Sequence, residues 1–156
     1  MEIHLHEKLK DKSWAKEAQQ IVRQCVHCGF CNATCPTYQL LGDEADGPRG
    51  RIYLISQLLQ GQPANRQTRK HLDHCLLCRS CETTCPSGVQ YGKLLDTGRK
   101  MIDESPRGGL DGLKRLVLTN TIPNTGLFQV GVNAASSLRS LLPGHLSKQL
   151  PHRGKN

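Results

Sequence analysis

The sequence predicts a mainly α-helical fold, and the placement of its cysteines and apolar residues carries that prediction. All eight cysteines of the 156-residue chain lie in two runs of the form C-x2-C-x2-C-x3-C-P. Each run follows a stretch with helical periodicity, and the segment between the runs also has a helical pattern. Because this spacer is long and helical, an α-helical domain is favoured over a short β-rich one.

The two cysteine runs begin at Cys25 and Cys75 and end at Pro36 and Pro86. Their spacing is the bacterial ferredoxin pattern for [4Fe–4S] clusters. Three thiolates at steps of three residues form a tight loop or helical turn that can hold three irons of a cubane. The proline biases the fourth cysteine toward extended backbone, which turns its sulfur away. Two complete runs therefore predict an α-helical ferredoxin domain with two [4Fe–4S] clusters.

The fourth cysteine of each run is predicted to bind the cluster of the other run, as in two-cluster ferredoxins. One predicted ligand set is Cys25, Cys28, Cys31 and Cys85. The other is Cys75, Cys78, Cys81 and Cys35. This crossing ties the two runs together and keeps the clusters close enough for electrons to pass between them.

Disulfides and zinc are the alternative interpretations of these cysteines. Residues 1–8 are polar and charged and lack the apolar segment of a signal peptide. We therefore expect a reducing compartment, where such spacing favours metal over disulfides. Paired C-x2-C motifs also form zinc sites, but the third and fourth cysteines with their trailing prolines fit a cubane better.

The formal net charge of +8 is the kind of balance that suggests nucleic-acid binding. That count treats the cysteines as neutral, whereas an oxidised cluster with four thiolates carries about −2, so two clusters leave about +4. Much of the excess charge also lies in the C-terminal third of the chain. We therefore expect no nucleic-acid partner.

The segments before and between the cysteine runs are predicted to be helical. Residues 1–11 are polar and expected to fray, and a helix is expected from Ser13, as N-cap, to Gln24. Its apolar face would carry Trp14, Ala18, Ile21 and Val22. Residues 42–50 are dense in glycine, proline and acids and predict a structured loop. Further helices are expected over 51–60, capped by Gly61, and over 64–74.

The region after the second run divides the chain into two predicted domains, 1–105 and 106–156. A helix over 88–104 is expected to pack back over the clusters, and Ser105 to Gly109 break the chain. The second domain is predicted to be a helical connecting region with a helix over 110–119. Residues 126–142 fall short of the ~20 apolar residues that span a bilayer. They predict a packing helix, or one that docks on a partner or membrane surface, before a basic, disordered tail from Pro143.

Several residues near the cysteines have two interpretations. Gly29 either lets backbone amides approach a sulfide or is an ordinary turn residue. Arg49 and Arg51 either pair with local acids or cluster charge, or are solvated. His27 and His74 adjoin the runs, but the cysteines already fill both clusters. No serine–histidine–acid set, phosphate loop or catalytic pair of acids is visible, so we predict no catalytic residue.

Two segments carry a resemblance to a known family. They are CVHCGFCNATCPTYQLLGDEADGPRGRIYLI and HLDHCLLCRSCETTCPSGVQYGKLLDTGR. They closely resemble the iron–sulfur subunit of bacterial glycolate oxidase (glycolate dehydrogenase) over roughly residues 20–100, well beyond the cysteines. Residues 105–150 resemble that family's connecting region more loosely.

The resemblance implies an electron-transfer subunit with no substrate-converting site of its own. Flavin-containing partner subunits would oxidise glycolate to glyoxylate, and this chain would pass the electrons toward a quinone-linked acceptor. It would be cytoplasmic and peripheral on the inner face of the cytoplasmic membrane. Two one-electron clusters would divide a two-electron donation into single steps.

One departure from the family and two alternative functions stay open. Family members continue with cysteine-rich domains that carry CCG motifs, and this sequence has none. The alternatives are an electron-carrier module of another 2-hydroxy-acid or heterodisulfide-type redox complex, and a structural or regulatory iron–sulfur module. A regulatory module that binds nucleic acid would show steep salt dependence.

Overall fold

The computed structural model describes residues 1–105 and 110–137, which belong to two compact units divided between residues 105 and 110. These residues contain no strand, and the prediction of a mainly α-helical fold is confirmed. The helices of the first unit are α1 (Ser13–Gln24), α2 (Phe30–Ala33), α3 (Pro36–Leu41), α4 (Pro48–Leu59), α5 (Arg66–Asp73), α6 (Ser80–Thr84) and α7 (Tyr91–Asp103). Pro106 to Gly109 and the tail from Pro143 lie outside the described residues.

Helix α1 has the predicted bounds, but Ser13 is not its N-cap. Ser13 is the first helical residue, and Lys12, which has extended backbone, holds the cap position without a side-chain hydrogen bond. The buried face consists of Ala15, Ala18, Ile21 and Val22. Trp14 is only partly buried, and the ammonium groups of Lys12 and Lys100 lie 5.5 and 5.6 Å from its ring centroid.

The N-terminal segment packs onto the first unit, so the expectation that it frays is wrong. Ile3 is 1% exposed and belongs to the hydrophobic core. The His6 amide donates to the Leu59 carbonyl at 2.9 Å, and the Met1 ammonium donates to the Cys25 carbonyl at 3.0 Å. A few apolar side chains among polar ones are enough to order the segment, because the core offers them a place and the backbone finds partners.

Helix α4 begins inside the stretch that was predicted to be a loop. Pro48 occupies its first turn, where a missing N–H costs nothing and the fixed φ suits a helix. Before it, a short 3-10 turn covers Glu44–Asp46. At the other end Gly61 has φ +96° and its amide donates to the Leu58 carbonyl, so it terminates the helix much as predicted.

The core of the first unit forms where α7 packs against α1, α4 and α5. Gly98 brings α7 close to α4, since a Cβ there would lie only 2.7 Å from Ile55 Cγ1. The short helices α2 and α6, one inside each cysteine run, contact each other. The fold therefore brings together two runs that are far apart in sequence.

The second unit contains α8 (Leu110–Thr121) and α9 (Thr125–Ser137), which contact each other. Several of its apolar side chains are exposed, among them Leu116, Ile122 and Val130. The predicted helix over 126–142 is observed as far as Ser137, and its remainder lies outside the described residues. Within the part of the chain that is described, no helix is long and apolar enough to cross a membrane.

Candidate metal centre

The two cysteine loops share an unusual backbone. His27 and Leu77, at matching positions, both have φ +57°, and Gly29 and Arg79 have φ +85° and +58°. A left-handed conformation costs a non-glycine residue ~1–2 kcal/mol, and such strain collects at functional sites. For Gly29 the sequence left two interpretations open, a close approach of backbone amides to a sulfide or an ordinary turn, and Arg79 was not singled out. A Cβ at Gly29 would lie 2.8 Å from Arg49 Nη1, a contact that the flexible arginine can relieve, so the positive φ is what favours glycine here.

The first cavity of this unit is surrounded by cysteines from both runs. It encloses about 430 Å³ of empty space, part of it open to solvent. Its lining includes Cys25, Cys28 and Cys31 of the first run and Cys85, the fourth cysteine of the second. Each member of the first predicted ligand set therefore faces the same cavity.

The second cavity, of about 390 Å³, has the reciprocal composition. Its lining includes Cys75, Cys78 and Cys81 together with Cys35, the fourth cysteine of the first run. Cys81 lines both cavities. The structure brings each predicted set together around one cavity, and the assignment of sulfurs to metals stays a prediction.

The protonation of the thiols fits a metal centre. All eight cysteines are free. Burial raises the pKa of Cys31 to about 11 and that of Cys81 to about 12, and neighbouring cysteines add to both increases. Metal ligation requires thiolates, and clustered buried thiolates are stable only when a cation neutralises them. The donor set is therefore one that iron can occupy with loss of protons.

Arg51 places a charged side chain beside a predicted ligand of the second set. It is wholly buried, and its Nη1 lies 3.9 Å from Cys35 Sγ. Its Nε donates to the His71 carbonyl at 2.7 Å, and its Nη2 donates to Thr37 Oγ1 at 3.1 Å. The alternative of a solvated arginine is therefore wrong for Arg51.

Arg49 also pairs with a local acid, but near the surface. Its Nε donates to Glu44 Oε1 at 2.6 Å, and its side chain is 37% exposed. This hydrogen bond and that of Asn32 lower the pKa of Glu44. Solvent screens such a pair, so its electrostatic effect on the first cavity is modest.

A buried carboxylate, Asp46, lies beside Arg51 and was not singled out from the sequence. Its Oδ1 lies 3.1 Å from His71 Nδ1, 3.0 Å from His74 Nδ1 and 3.4 Å from Arg51 Nη2. Burial alone would raise the pKa of Asp46, but the hydrogen bonds and charges of the two histidines lower it. His74, which precedes Cys75, thus turns its Nδ1 toward a carboxylate.

Tyr91 is the second residue that the sequence did not reveal. It is 4% exposed, lines both cavities, and places its hydroxyl 3.7 Å from Cys75 Sγ. Burial raises the pKa of Tyr91 far above its ordinary value, so the hydroxyl keeps its proton and donates. Residue 91 lies in one of the segments that carry the family resemblance, but no periodicity or spacing singles it out, because its contact with Cys75 depends on tertiary packing.

Comparison with known proteins identifies relatives for almost the whole chain. Residues 21–89 match the 4Fe-4S dicluster domain family. The glycolate oxidase iron-sulfur subunit of Escherichia coli (strain K12) is 49% identical over 97% of this chain and 37% of its own length. The probable glycolate oxidase iron-sulfur subunit of Bacillus subtilis (strain 168) is 42% identical over 55% of this chain and 20% of its own length.

A more distant relative is lactate utilization protein B of Exiguobacterium sp. (strain ATCC BAA-1283 / AT1b). It is 29% identical over 85% of this chain and 29% of its own length. The chain therefore spans well under half the length of these curated relatives. No solved structure matches it significantly.

Proposed function

This chain carries a 4Fe-4S dicluster domain and is similar to glycolate oxidase iron–sulfur subunits, and on that premise we propose that it transfers electrons within a glycolate-oxidising complex. The observation that carries the proposal is the pair of cavities, each lined by three cysteines of one run and the fourth cysteine of the other. Such an arrangement suits metal clusters held close together, which is what electron relay requires.

We propose that the chain binds two [4Fe–4S] clusters. Cys25, Cys28, Cys31 and Cys85 would hold one, and Cys75, Cys78, Cys81 and Cys35 would hold the other. Each bound cluster would supply a site that takes up and releases one electron at a time. The residues of the chain supply thiolates and hydrogen bonds to sulfur, and their packing limits the access of water.

The exposure of the cysteines suggests where a redox partner approaches. Cys28 and Cys78 are exposed, whereas Cys25, Cys35 and Cys81 are buried. The backbone N–H of Ser80 lowers the pKa of Cys78, which favours the thiolate at this exposed position. Each proposed set thus has one cysteine near solvent. Because electron transfer is fastest over the shortest distance between cluster and partner, a redox partner would approach at Cys28 or Cys78.

The proposed partners are the flavin-containing subunits of the complex and a quinone-linked acceptor, reached from the inner face of the cytoplasmic membrane. Relatives named as glycolate oxidase subunits support the existence of a complex. Conversion of glycolate to glyoxylate is assigned to the flavin partners, and this chain is proposed to contain no site for it.

A second candidate is an electron carrier for another 2-hydroxy acid. The similarity to a lactate utilization protein favours it, because lactate, like glycolate, is a 2-hydroxy acid. The two candidates share the same clusters and differ in the partner that reduces them.

Two measurements test the proposal. Anaerobic iron and acid-labile sulfide analysis should give about eight of each per chain, with a spin-coupled spectrum by EPR after reduction. Glycolate together with the flavin partners should then bleach the cluster absorbance. Zinc without labile sulfide would overturn the cluster assignment, and bleaching by lactate but not glycolate would favour the second candidate.

A further inference from the structure

We propose that Arg51 makes the set of Cys35, Cys75, Cys78 and Cys81 the site of higher reduction potential. The inference rests on the proposed function, since it requires both clusters. It orders the two clusters by reduction potential: the cluster held by the set that includes Cys35 is reduced first.

The position of Arg51 gives the physical reason. Its guanidinium is wholly buried, with Nη1 3.9 Å from Cys35 Sγ. A guanidinium keeps its charge at every relevant pH. Hydrogen bonds to the sulfurs and nearby positive charge stabilise the more negative, reduced state of a cluster and raise its potential. The charge acts strongly here, because solvent does not screen it.

Two other side chains supply donors to the same set. The Tyr91 hydroxyl lies 3.7 Å from Cys75 Sγ, and the Ser80 side chain hydrogen-bonds Cys78. Thr37 Oγ1 lies 3.2 Å from Cys35 Sγ, but its proton is donated to the Asp46 carbonyl. Backbone N–H groups serve both sets, that of His27 at Cys25 and that of Ser80 at Cys78. At the first set the Met1 ammonium is a further positive charge, but it donates to the Cys25 carbonyl at 3.0 Å. The sets therefore differ most in their buried side chains.

The first set has an acceptor where the second has donors. Asn32 Oδ1 lies 3.9 Å from Cys31 Sγ. The orientation of this amide is fixed, because its Nδ2 donates to both oxygens of Glu44, at 3.1 and 3.0 Å. An amide oxygen can accept from a thiol but cannot donate to a thiolate. In the second half of the chain, the position fifty residues after Arg51 is the uncharged Met101.

Opposing groups near Arg51 weaken its effect without cancelling it. Asp46 Oδ1 lies 3.4 Å from Nη2, not from the Nη1 that faces sulfur, and two histidines share that oxygen. The Asp46 carbonyl lies 3.8 Å from Cys35 Sγ, but it also accepts from Thr37 Oγ1 at 2.8 Å. Arg49 lines the first cavity, but it is 37% exposed and paired with Glu44, so solvent screens its charge more than that of Arg51.

The test is a potentiometric titration of the full chain, followed by EPR, in the wild type and in Arg51→Met. The wild type should give two midpoint potentials. In Arg51→Met, reduction of the higher-potential cluster should become about tenfold less favourable. For a one-electron step this lowers the higher midpoint potential by about 59 mV. The lower midpoint potential should not change. Arg51→Lys keeps the charge and should restore part of the shift.

Arg69→Met is the matched control, since Arg69 lines neither cavity and donates to the Ile102 carbonyl. It should move neither midpoint. Tyr91→Phe removes only a hydroxyl and should lower the same, higher midpoint by less than Arg51→Met does. If Arg51→Met loses iron, the midpoint potentials of Tyr91→Phe and Arg51→Lys test the inference in its place.

A shift of the lower midpoint, equal shifts of both, or unchanged midpoints in iron-replete variants would overturn the inference. Each of these results still requires two reducible clusters, so it leaves the proposed function standing. If the wild-type protein contains no reducible cluster, the proposed function is contradicted, and the inference falls with it.

Discussion

At the scale of single residues, the fourth cysteine of each run separates the crossed ligand assignment from an uncrossed one. Cys35 lines the cavity of the second run, and Cys85 lines that of the first. Cys35→Ser should therefore damage the cluster held by Cys75, Cys78 and Cys81, although it lies next to the other cluster in sequence. Iron should fall from about eight to about four per chain, with loss of the spin-coupled EPR signal.

Cys85→Ser is the matched variant, and it should leave the complementary cluster. The two variants should show different EPR spectra and different single midpoints, because each retains a different site. Tyr91→Phe provides the identification, because the Tyr91 hydroxyl lies 3.7 Å from Cys75 Sγ: it should shift the midpoint in Cys85→Ser and leave that in Cys35→Ser unchanged. The reverse pattern would contradict the crossed assignment.

A second prediction at the residue scale concerns the Arg49–Glu44 pair. The hydrogen bond from Arg49 lowers the pKa of Glu44 below its ordinary value of 4.5. A carboxyl whose pKa is lower in the folded state stabilises the fold above pH 4.5 and loses that contribution as pH falls through the lowered value. Glu44→Gln should thus have a lower urea midpoint than the wild type. The margin, which is the difference between the two midpoints, should be the same at pH 7 and pH 5.5.

That margin should shrink only below pH 4.5, where the wild type loses the same contribution. Anaerobic urea unfolding followed by circular dichroism measures it. Glu2→Gln, which removes an exposed carboxylate from the N-terminal segment, is the control and should change little. A margin that grows as the pH falls would contradict the sign of the pKa shift.

At the scale of the helices, the contact of α7 with α4 depends on the missing side chain at Gly98. A Cβ there would meet Ile55 Cγ1 at 2.7 Å and Cδ1 at 3.0 Å. Gly98→Ala should gain ~1 kcal/mol of helix propensity but lose about 1–3 kcal/mol to overpacking. We expect net destabilisation, seen as a lower urea midpoint of the cluster-loaded protein.

Asp96→Ala tests the same helix without the contact, because Asp96 is exposed on α7. It gains helix propensity and meets no core side chain, so its midpoint should equal or exceed that of the wild type. If Gly98→Ala behaved like Asp96→Ala, close packing of α7 on α4 would not be limiting.

The sequence predicted most helices, because apolar periodicity and flanking breakers are local signals. It missed the order of residues 1–11, since the burial of Ile3 depends on a core built from distant residues. It predicted a loop where Pro48 begins α4, although a proline also suits a first helical turn.

The candidate site shows the same limit. Cysteine spacing predicted two crossed ligand sets, and the residues of each set line one cavity; which sulfurs bind which metal stays a prediction. The sequence left the state of Arg51 open and gave no signal for Tyr91 or Asp46, since which side chains reach a sulfur is decided by helix packing. The left-handed Arg79 was equally hidden, because arginine is not a residue that predicts positive φ.

At the scale of the whole molecule, the core and both cavities belong to the first unit. All members of the hydrophobic core lie between residues 3 and 102, and both cavities are lined by residues 25–95. The described apolar residues of the second unit include several that are exposed. We therefore predict that the chain cut after Ser105 still folds and binds its clusters.

The fragment 1–105 should contain about as much iron and labile sulfide as the full chain, with the same EPR spectrum and about eight irons. Fragment 1–90 is the control. It lacks α7, and with it the fully buried Leu94 and Leu95. Losing two such side chains costs several kcal/mol, a large part of the stability of a small domain, so this fragment should bind little iron. Iron-free 1–105 beside an iron-replete full chain would show that the second unit is needed to assemble the clusters.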